Sequence, residues 1–171
     1  ETFIPPIPGV DTVPFWTHRD ALDNKELPAS LAIIGGGVIG IEFASFFNSL
    51  GVQVTVIEML DEILGGMDKE LSALLRAEYA KRGIRFMLST KVVSLAEASS
   101  EDGKSQVQVN YENAEGTGSV LAEKLLMSVG RRPVTKGFGL ENLELRRTER
   151  GNICTNDQMQ ASAPGVYVCG D

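Results

Sequence analysis

The chain reads as an α/β protein: a parallel sheet with an antiparallel β-meander inserted into it, three layers in all. Three observations carry that reading. An apolar strand, Leu31-Ala32-Ile33-Ile34, runs straight into a G-x-G-x-x-G at Gly35, Gly37 and Gly40, and an apolar helical stretch from Val38 to Leu50 follows. A second apolar strand, Gln53 to Ile57, completes a strand–helix–strand unit and ends at Glu58, 18 positions after Gly40. Short strands between Lys91 and Val120, parted by polar turns, then interrupt the strand–helix alternation.

Residues 1–30 form a Pro-rich arm. Pro5, Pro6, Pro8 and Pro14 forbid regular structure over most of it. Thr17 to Leu22 suits one helical turn with Thr17 as its cap. His18 is the single histidine, and the sequence offers it neither a catalytic partner nor a cleft.

Residues 31–58 carry the functional signal. The first glycine turns the chain out of the strand, the second lets a pyrophosphate approach the backbone, and the third lets helix and strand pack closely. The helix then aims free N–H groups and the positive end of its dipole at the phosphates. A purely structural turn is the competing reading. The strand before, the helix after and the acid at Glu58 favour the nucleotide site of a Rossmann-like fold. A carboxylate at Glu58 can accept hydrogen bonds from both hydroxyls of an adenosine ribose, and it repels a 2′-phosphate. Asp61 and Glu62 add to that repulsion and no Lys or Arg follows at once, so the coenzyme is read as NAD rather than NADP. The helix is apolar nearly all round, through Ile41, Phe43, Ala44, Phe46, Phe47 and Leu50, which predicts a helix sandwiched between the sheet and another layer. Glu42 is its one charge. It is either a plain surface residue or a carboxylate facing the far end of a bound dinucleotide.

After a loop at Gly65-Gly66, Asp68 to Arg82 predicts a second amphipathic helix with Leu71, Leu74, Leu75 and Tyr79 on one face. Asp68 and Glu70 suit its start, Lys81 and Arg82 its end, and Gly83 its stop. Arg85 to Leu88 is the third strand. Lys91 to Leu95, the strictly alternating Gln106 to Tyr111 and a short strand near Val120 make the meander. Leu125 to Val129 is again a buried strand, ending at Gly130-Arg131-Arg132-Pro133. Residues 134–152 are irregular, and 164–171 read as a turn and a strand. The expected division is an arm over 1–30, a nucleotide-binding domain over 31–150, and the start of a further, truncated segment over 151–171.

Length and composition bound the rest. A chain of 171 residues can hold one full core, and its 43% hydrophobic and 23% charged fractions are those of an ordinary soluble protein. The net charge of −7 argues against nucleic acid and against an acidic membrane surface as partners. No apolar run approaches the ~18 residues of a membrane helix. Cys154 and Cys169 match no redox-pair spacing and no metal-ligand cluster, so no metal is expected. They read as two small buried residues in a reducing compartment, with the cytoplasm as the expected location.

Five segments in register resemble the flavoprotein disulfide reductases, most closely the dihydrolipoamide dehydrogenase branch. AIIGGGVIGIE at 32–42 is similar to that family's NAD-binding loop, and VTVIEMLDEILGGMD at 54–68 to its second strand and following loop. LSTKV at 88–92 resembles the strand after the next helix, and MSVGRRPVTKGFGLE at 127–141 the strand and turn joining NAD and flavin domains. VYVCGD at 166–171 resembles the flavin-binding strand.

The resemblance implies that Gly35, Gly36, Gly37, Val38, Ile39 and Gly40 cradle the pyrophosphate and that Glu58 holds the ribose. It puts Val92 at the adenine end, Glu42 and Gly130 at the nicotinamide end, and Met59, Val129 and Arg131 on the same NAD side. Gly170 and Asp171 would touch FAD. The implied parent is an enzyme that oxidises dihydrolipoamide with NAD and FAD, a homodimer as is usual in the family, with membership of a 2-oxoacid dehydrogenase complex left open. The family's flavin-binding glycine loop, C-x-x-x-x-C redox pair and C-terminal His-Glu pair are not among the 171 residues. No catalytic residue is therefore assigned, and the chain alone is expected to be inactive. Two positions depart from the pattern: Cys169 stands where an aliphatic residue is usual, and Ser128 where Thr or Ala is commoner. Alternative readings are the NAD domain of a sibling (NADH oxidase, transhydrogenase or mercuric reductase), a non-catalytic NADH-binding module, and a methyltransferase using the same glycine turn.

Overall fold

The computed structural model describes residues 1–100, 102–137, 139–149 and 151–169. In chain order the elements are α1 (His18–Asp23), β1 (Ser30–Ile34), α2 (Val38–Ser49), β2 (Gln53–Ile57), α3 (Lys69–Lys81), β3 (Arg85–Met87), β4 (Lys91–Ser99), β5 (Ser105–Asn113), β6 (Gly116–Ala122) and β7 (Lys124–Met127). Residues 2–130 make one compact unit, and Glu1 with 131–171 a second.

Four apolar residues in a row cannot all face one side of a strand, so both faces of β1 must be covered. That requirement sets the layers. β1 lies inside a four-stranded parallel sheet of order β3-β2-β1-β7. Leu31 and Ile33 share one side with Val54, Val56 and Leu126, in a cluster with Ile41, Ala44 and Phe47 of α2. Ala32 and Ile34 share the other with Ile57, Met87, Leu125 and Met127. They pack there against Leu95, Val107, Val109, Val120 and Ala122 of the antiparallel sheet β4-β5-β6. Helices, parallel sheet and meander are the three layers expected.

The arm packs on this unit. Val10 and Val13 are buried in the cluster on the meander side. Trp16 adds a parallel bridge beside β7: its N–H donates to the Leu125 carbonyl at 2.7 Å, and its carbonyl accepts from Met127 N–H at 2.8 Å. Thr17 is the N-cap of α1, as the sequence indicates. The Asp20 carboxylate accepts from both the Thr17 N–H and the Thr17 hydroxyl at 2.7 Å, and these bonds hold its carboxyl below the usual range.

Four expectations are corrected. α2 is not sandwiched: Ile41, Ala44 and Phe47 are buried on the sheet, but Phe46 is 54% exposed and Leu50 47%. Its outer face lines an open apolar groove with Leu22 and Leu27, because α1 is too short to cover it. α3 is rotated from the expected stripe. Ser72 is buried, Leu75 and Tyr79 pack on the core, and Leu71 and Leu74 face solvent. A bidentate ion pair from Arg76 to Glu62 lies on that inward face and fixes the rotation. The meander strands are longer than expected, with β4 and β5 at 9 residues each. In the second unit, the expected strand after residue 164 is only an isolated bridge at Tyr167 among the described residues.

These assignments separate two substitutions by denaturant unfolding. Phe47→Ala removes a fully buried ring packed against Trp16, Phe43 and Phe46, and should cost about 3–5 kcal/mol. Leu74→Ser should change stability by no more than about 0.5 kcal/mol. A large loss at Leu74 would contradict the observed rotation of α3.

Candidate functional site

The strand order places β1 between β2 and β7, so the chain leaves β1 towards one side and returns on the other. The carboxyl ends of β1 and β7 form the switch point where open α/β sheets bind ligands. The glycine loop lies there. Gly35 has φ +106, and a Cβ on it would sit 2.5 Å from the Ser128 carbonyl oxygen. Gly40 could carry no Cβ without striking the Gly35 carbonyl, and the Ser128 hydroxyl would lie 2.7 Å away. Gly37 differs from both. Its φ is −72, it caps α2, and a Cβ there would meet nothing within 4 Å. The first glycine thus serves the turn, the third serves packing, and the space over the second is open. Val38, Ile39 and Gly40 open α2, whose first intrahelical bond runs from Ile41 N–H to the Gly37 carbonyl at 3.0 Å. The N–H groups before it are the unpaired donors of a helix start.

Glu58 comes off the end of β2 and reaches back to the loop. Its Oε2 accepts from Gly36 N–H at 2.6 Å and its Oε1 from Leu60 N–H at 2.8 Å. Each oxygen keeps further acceptor capacity, so the carboxylate is oriented without being used up. Met59 (66% exposed) and Leu60 (49%) make an apolar shelf beside it. The loop before β4 is tied on: Thr90 N–H donates to the Glu58 carbonyl and Ser89 N–H to the Leu60 carbonyl. Ile63 is buried, and Leu64 N–H donates to the Gly36 carbonyl at 2.8 Å, so residues 63–64 brace the glycine loop from the other side.

The two acids after Glu58 do other work than the sequence indicated. Asp61 pairs with Lys69 at 2.7 Å, and Glu62 takes the Arg76 fork as well as its neighbour Ile63 N–H. Each of the two acids thus has a cation of α3 as its partner. The hydrogen bond from Arg76 is the main cause that holds the Glu62 carboxyl below its usual range.

The remaining candidates are dispersed. Glu42 is exposed and lines the apolar groove with Asn24 and Lys25. Val92, on β4, is half-buried against the core under the meander. Val129 is half-buried against that same core, and Gly130, at φ +131, accepts from Phe3 N–H. Arg131 is exposed in the second unit. Gly170 and Asp171 lie outside the described residues. Cys154 is half-buried and Cys169 exposed, both as free thiols, which corrects the reading of two buried residues. Among the described residues no group of three or more His, Cys, Asp or Glu could hold a metal, and no helix is long and apolar enough to cross a membrane. Sequence reasoning noted Ser128 only as a departure and missed Ile63, Leu64 and Arg76.

Comparison with known proteins gives a consistent answer. A family model described as pyridine nucleotide-disulphide oxidoreductase matches residues 1–171. Dihydrolipoyl dehydrogenase 3 of Pseudomonas aeruginosa is 39% identical over 170 residues, which is 97% of this chain and 35% of that protein. The mitochondrial dihydrolipoyl dehydrogenase of Homo sapiens is 36% identical over 171 residues, covering 98% of this chain and 33% of that protein. Among solved structures, the Cu(II) complex of the HOCl-induced flavoprotein disulfide reductase RclA from Escherichia coli superposes with a TM-score of 0.86 at 31% identity. That match covers 100% of this chain and 37% of that one. The chain therefore spans about a third of the length of the curated relatives it matches.

The Arg76–Glu62 pair has a pH signature. A carboxyl whose pKa is depressed on folding adds stability above its unfolded value and loses it as pH falls through the folded one. Arg76→Met should destabilise at pH 7 by on the order of 1–2 kcal/mol, and the difference from the parent chain should vanish on acidification below the ordinary glutamate range. A difference that persists there, read by urea titration across pH, would show that the pair is not its source.

Proposed function

The chain belongs to the pyridine nucleotide-disulphide oxidoreductases, and from that premise we propose that residues 31–150 are the NAD(H)-binding domain of an FAD-dependent dihydrolipoamide dehydrogenase-like enzyme. The arm at 1–30 would lead in from a flavin domain, and 151–171 would begin the return to it. The observation that carries the reading is the pairing of an open Gly37 at the start of α2 with a Glu58 carboxylate anchored on two backbone N–H groups. A cradle that a Cβ would fill suits a pyrophosphate, and an anchored carboxylate with spare acceptor capacity suits a ribose diol, so the residues present fit NAD.

In this reading NAD supplies a two-electron acceptor for electrons passed from a dithiol. The chain's own task is positional. Gly35 to Gly40 hold the diphosphate, Glu58 fixes the adenosine ribose, and Met59 with Leu60 and Val92 bound the adenine side. Val129 and Gly130 lie at the carboxyl end of β7, where the nicotinamide half would extend, with Glu42 as a further contact. Holding the ring in one orientation is worth many kcal/mol to such a transfer. FAD belongs to the proposal through Gly170 and Asp171 and through the family. A lipoyl-bearing substrate, a homodimeric parent, a 2-oxoacid dehydrogenase complex and a reducing compartment, the cytoplasm, complete it. A flavoenzyme sibling is the second reading, supported by the likeness to the E. coli disulfide reductase; in it this domain would do the same work. The chain by itself should not oxidise a dithiol.

Titration calorimetry with NADH and NADPH side by side tests the reading. NADH should bind, weakly without a flavin domain, and NADPH at least about ten-fold more weakly. Gly37→Ala should melt with the parent chain yet lose NADH binding, since its Cβ enters open space. Equal binding of both coenzymes, or NADH binding unaffected in Gly37→Ala, would contradict the site.

A further inference from the structure

Ser128 follows the last residue of β7 and makes three contacts where β1 turns into the glycine loop. Its N–H donates to the Ile34 carbonyl at 2.9 Å. Its hydroxyl lies 3.0 Å from the Ile34 carbonyl oxygen and 3.0 Å from that of Gly35. After the Gly35 carbonyl, it is the next group that a Cβ on Gly40 would meet. One hydroxyl proton is thus shared between the two carbonyls at the sharpest turn of the site.

The Gly35 carbonyl and the Gly36 N–H belong to one rigid peptide plane. That plane is gripped at both ends. Ser128 holds its carbonyl, and its N–H donates to Glu58 Oε2 at 2.6 Å. A rotation that frees one end swings the other. Gly35 and Gly36 are both buried, so the freed carbonyl would gain no easy access to water.

We infer that Ser128 is a positioning residue for coenzyme selection: through the Gly35–Gly36 peptide it sets the orientation of the Glu58 carboxylate that would receive the ribose. The inference rests on the NAD(H) reading above and deepens it. A residue that merely stabilised the turn would affect melting and the two coenzymes alike. A residue that orients Glu58 must affect the coenzyme that uses Glu58 as a partner more than the one that Glu58 repels.

The test compares the parent chain with Ser128→Ala and Ser128→Thr by NMR titration with NADH and NADPH, together with amide hydrogen exchange at Gly36 without coenzyme. In Ser128→Ala, NADH affinity should fall about five- to ten-fold, NADPH affinity should fall less, and Gly36 exchange should speed up. Ser128→Thr keeps a hydroxyl and should restore both the preference and the protection. If the parent chain binds NADH and Ser128→Ala shows an unchanged preference, or if Gly36 stays protected, the role of Ser128 is overturned while the coenzyme reading stands. If the parent chain binds neither coenzyme, the coenzyme reading falls and takes the role of Ser128 with it.

Discussion

Strand β1 has no face turned to water, and the rest of the structure follows from that constraint. Leu31 and Ile33 require a helix layer, Ala32 and Ile34 require the meander, and β2 and β7 flank the strand in parallel register. A strand so enclosed leaves its neighbours only at its end. There the chain turns at Gly35, with φ +106, into α2, while β7 passes close enough for Ser128 to touch the turn. The burial that stabilises the fold and the geometry that exposes backbone N–H groups at the switch point have one cause.

The loop is braced from three directions. Ser128 comes from β7, Glu58 from β2, and Ile63-Leu64 from the segment before α3. That last segment is tied down by Glu62, which Arg76 holds from α3. Asp61 and Glu62 each pair with a cation of α3. Glu58 itself is held by two backbone N–H groups, those of Gly36 and Leu60.

Much of this was legible in the sequence because it is local. The period-2 burial of β5, the glycine turn, the Asp68 cap accepting from Glu70 and Leu71 N–H, and the Gly83 stop at φ +98 each involve residues within a few positions of one another. What escaped depends on tertiary partners. Asp61 and Glu62 find their cations 8 and 14 residues away on α3. The rotation of α3 is set by that ion pair and by the small Ser72, against a stripe in which Leu71 and Leu74 looked equally apolar. Ser128 meets Gly35 across 93 residues of chain. The exposure of Cys169 is likewise a tertiary property that no local pattern encodes.

A crystal structure of the chain soaked with ADP-ribose bears most directly on whether the switch point is a dinucleotide site. The diphosphate should lie over Gly37 at the start of α2, with both ribose hydroxyls on the Glu58 carboxylate and the Gly36 N–H still on Oε2. A ligand bound elsewhere, or one at the loop whose ribose leaves Glu58 untouched, would contradict the account.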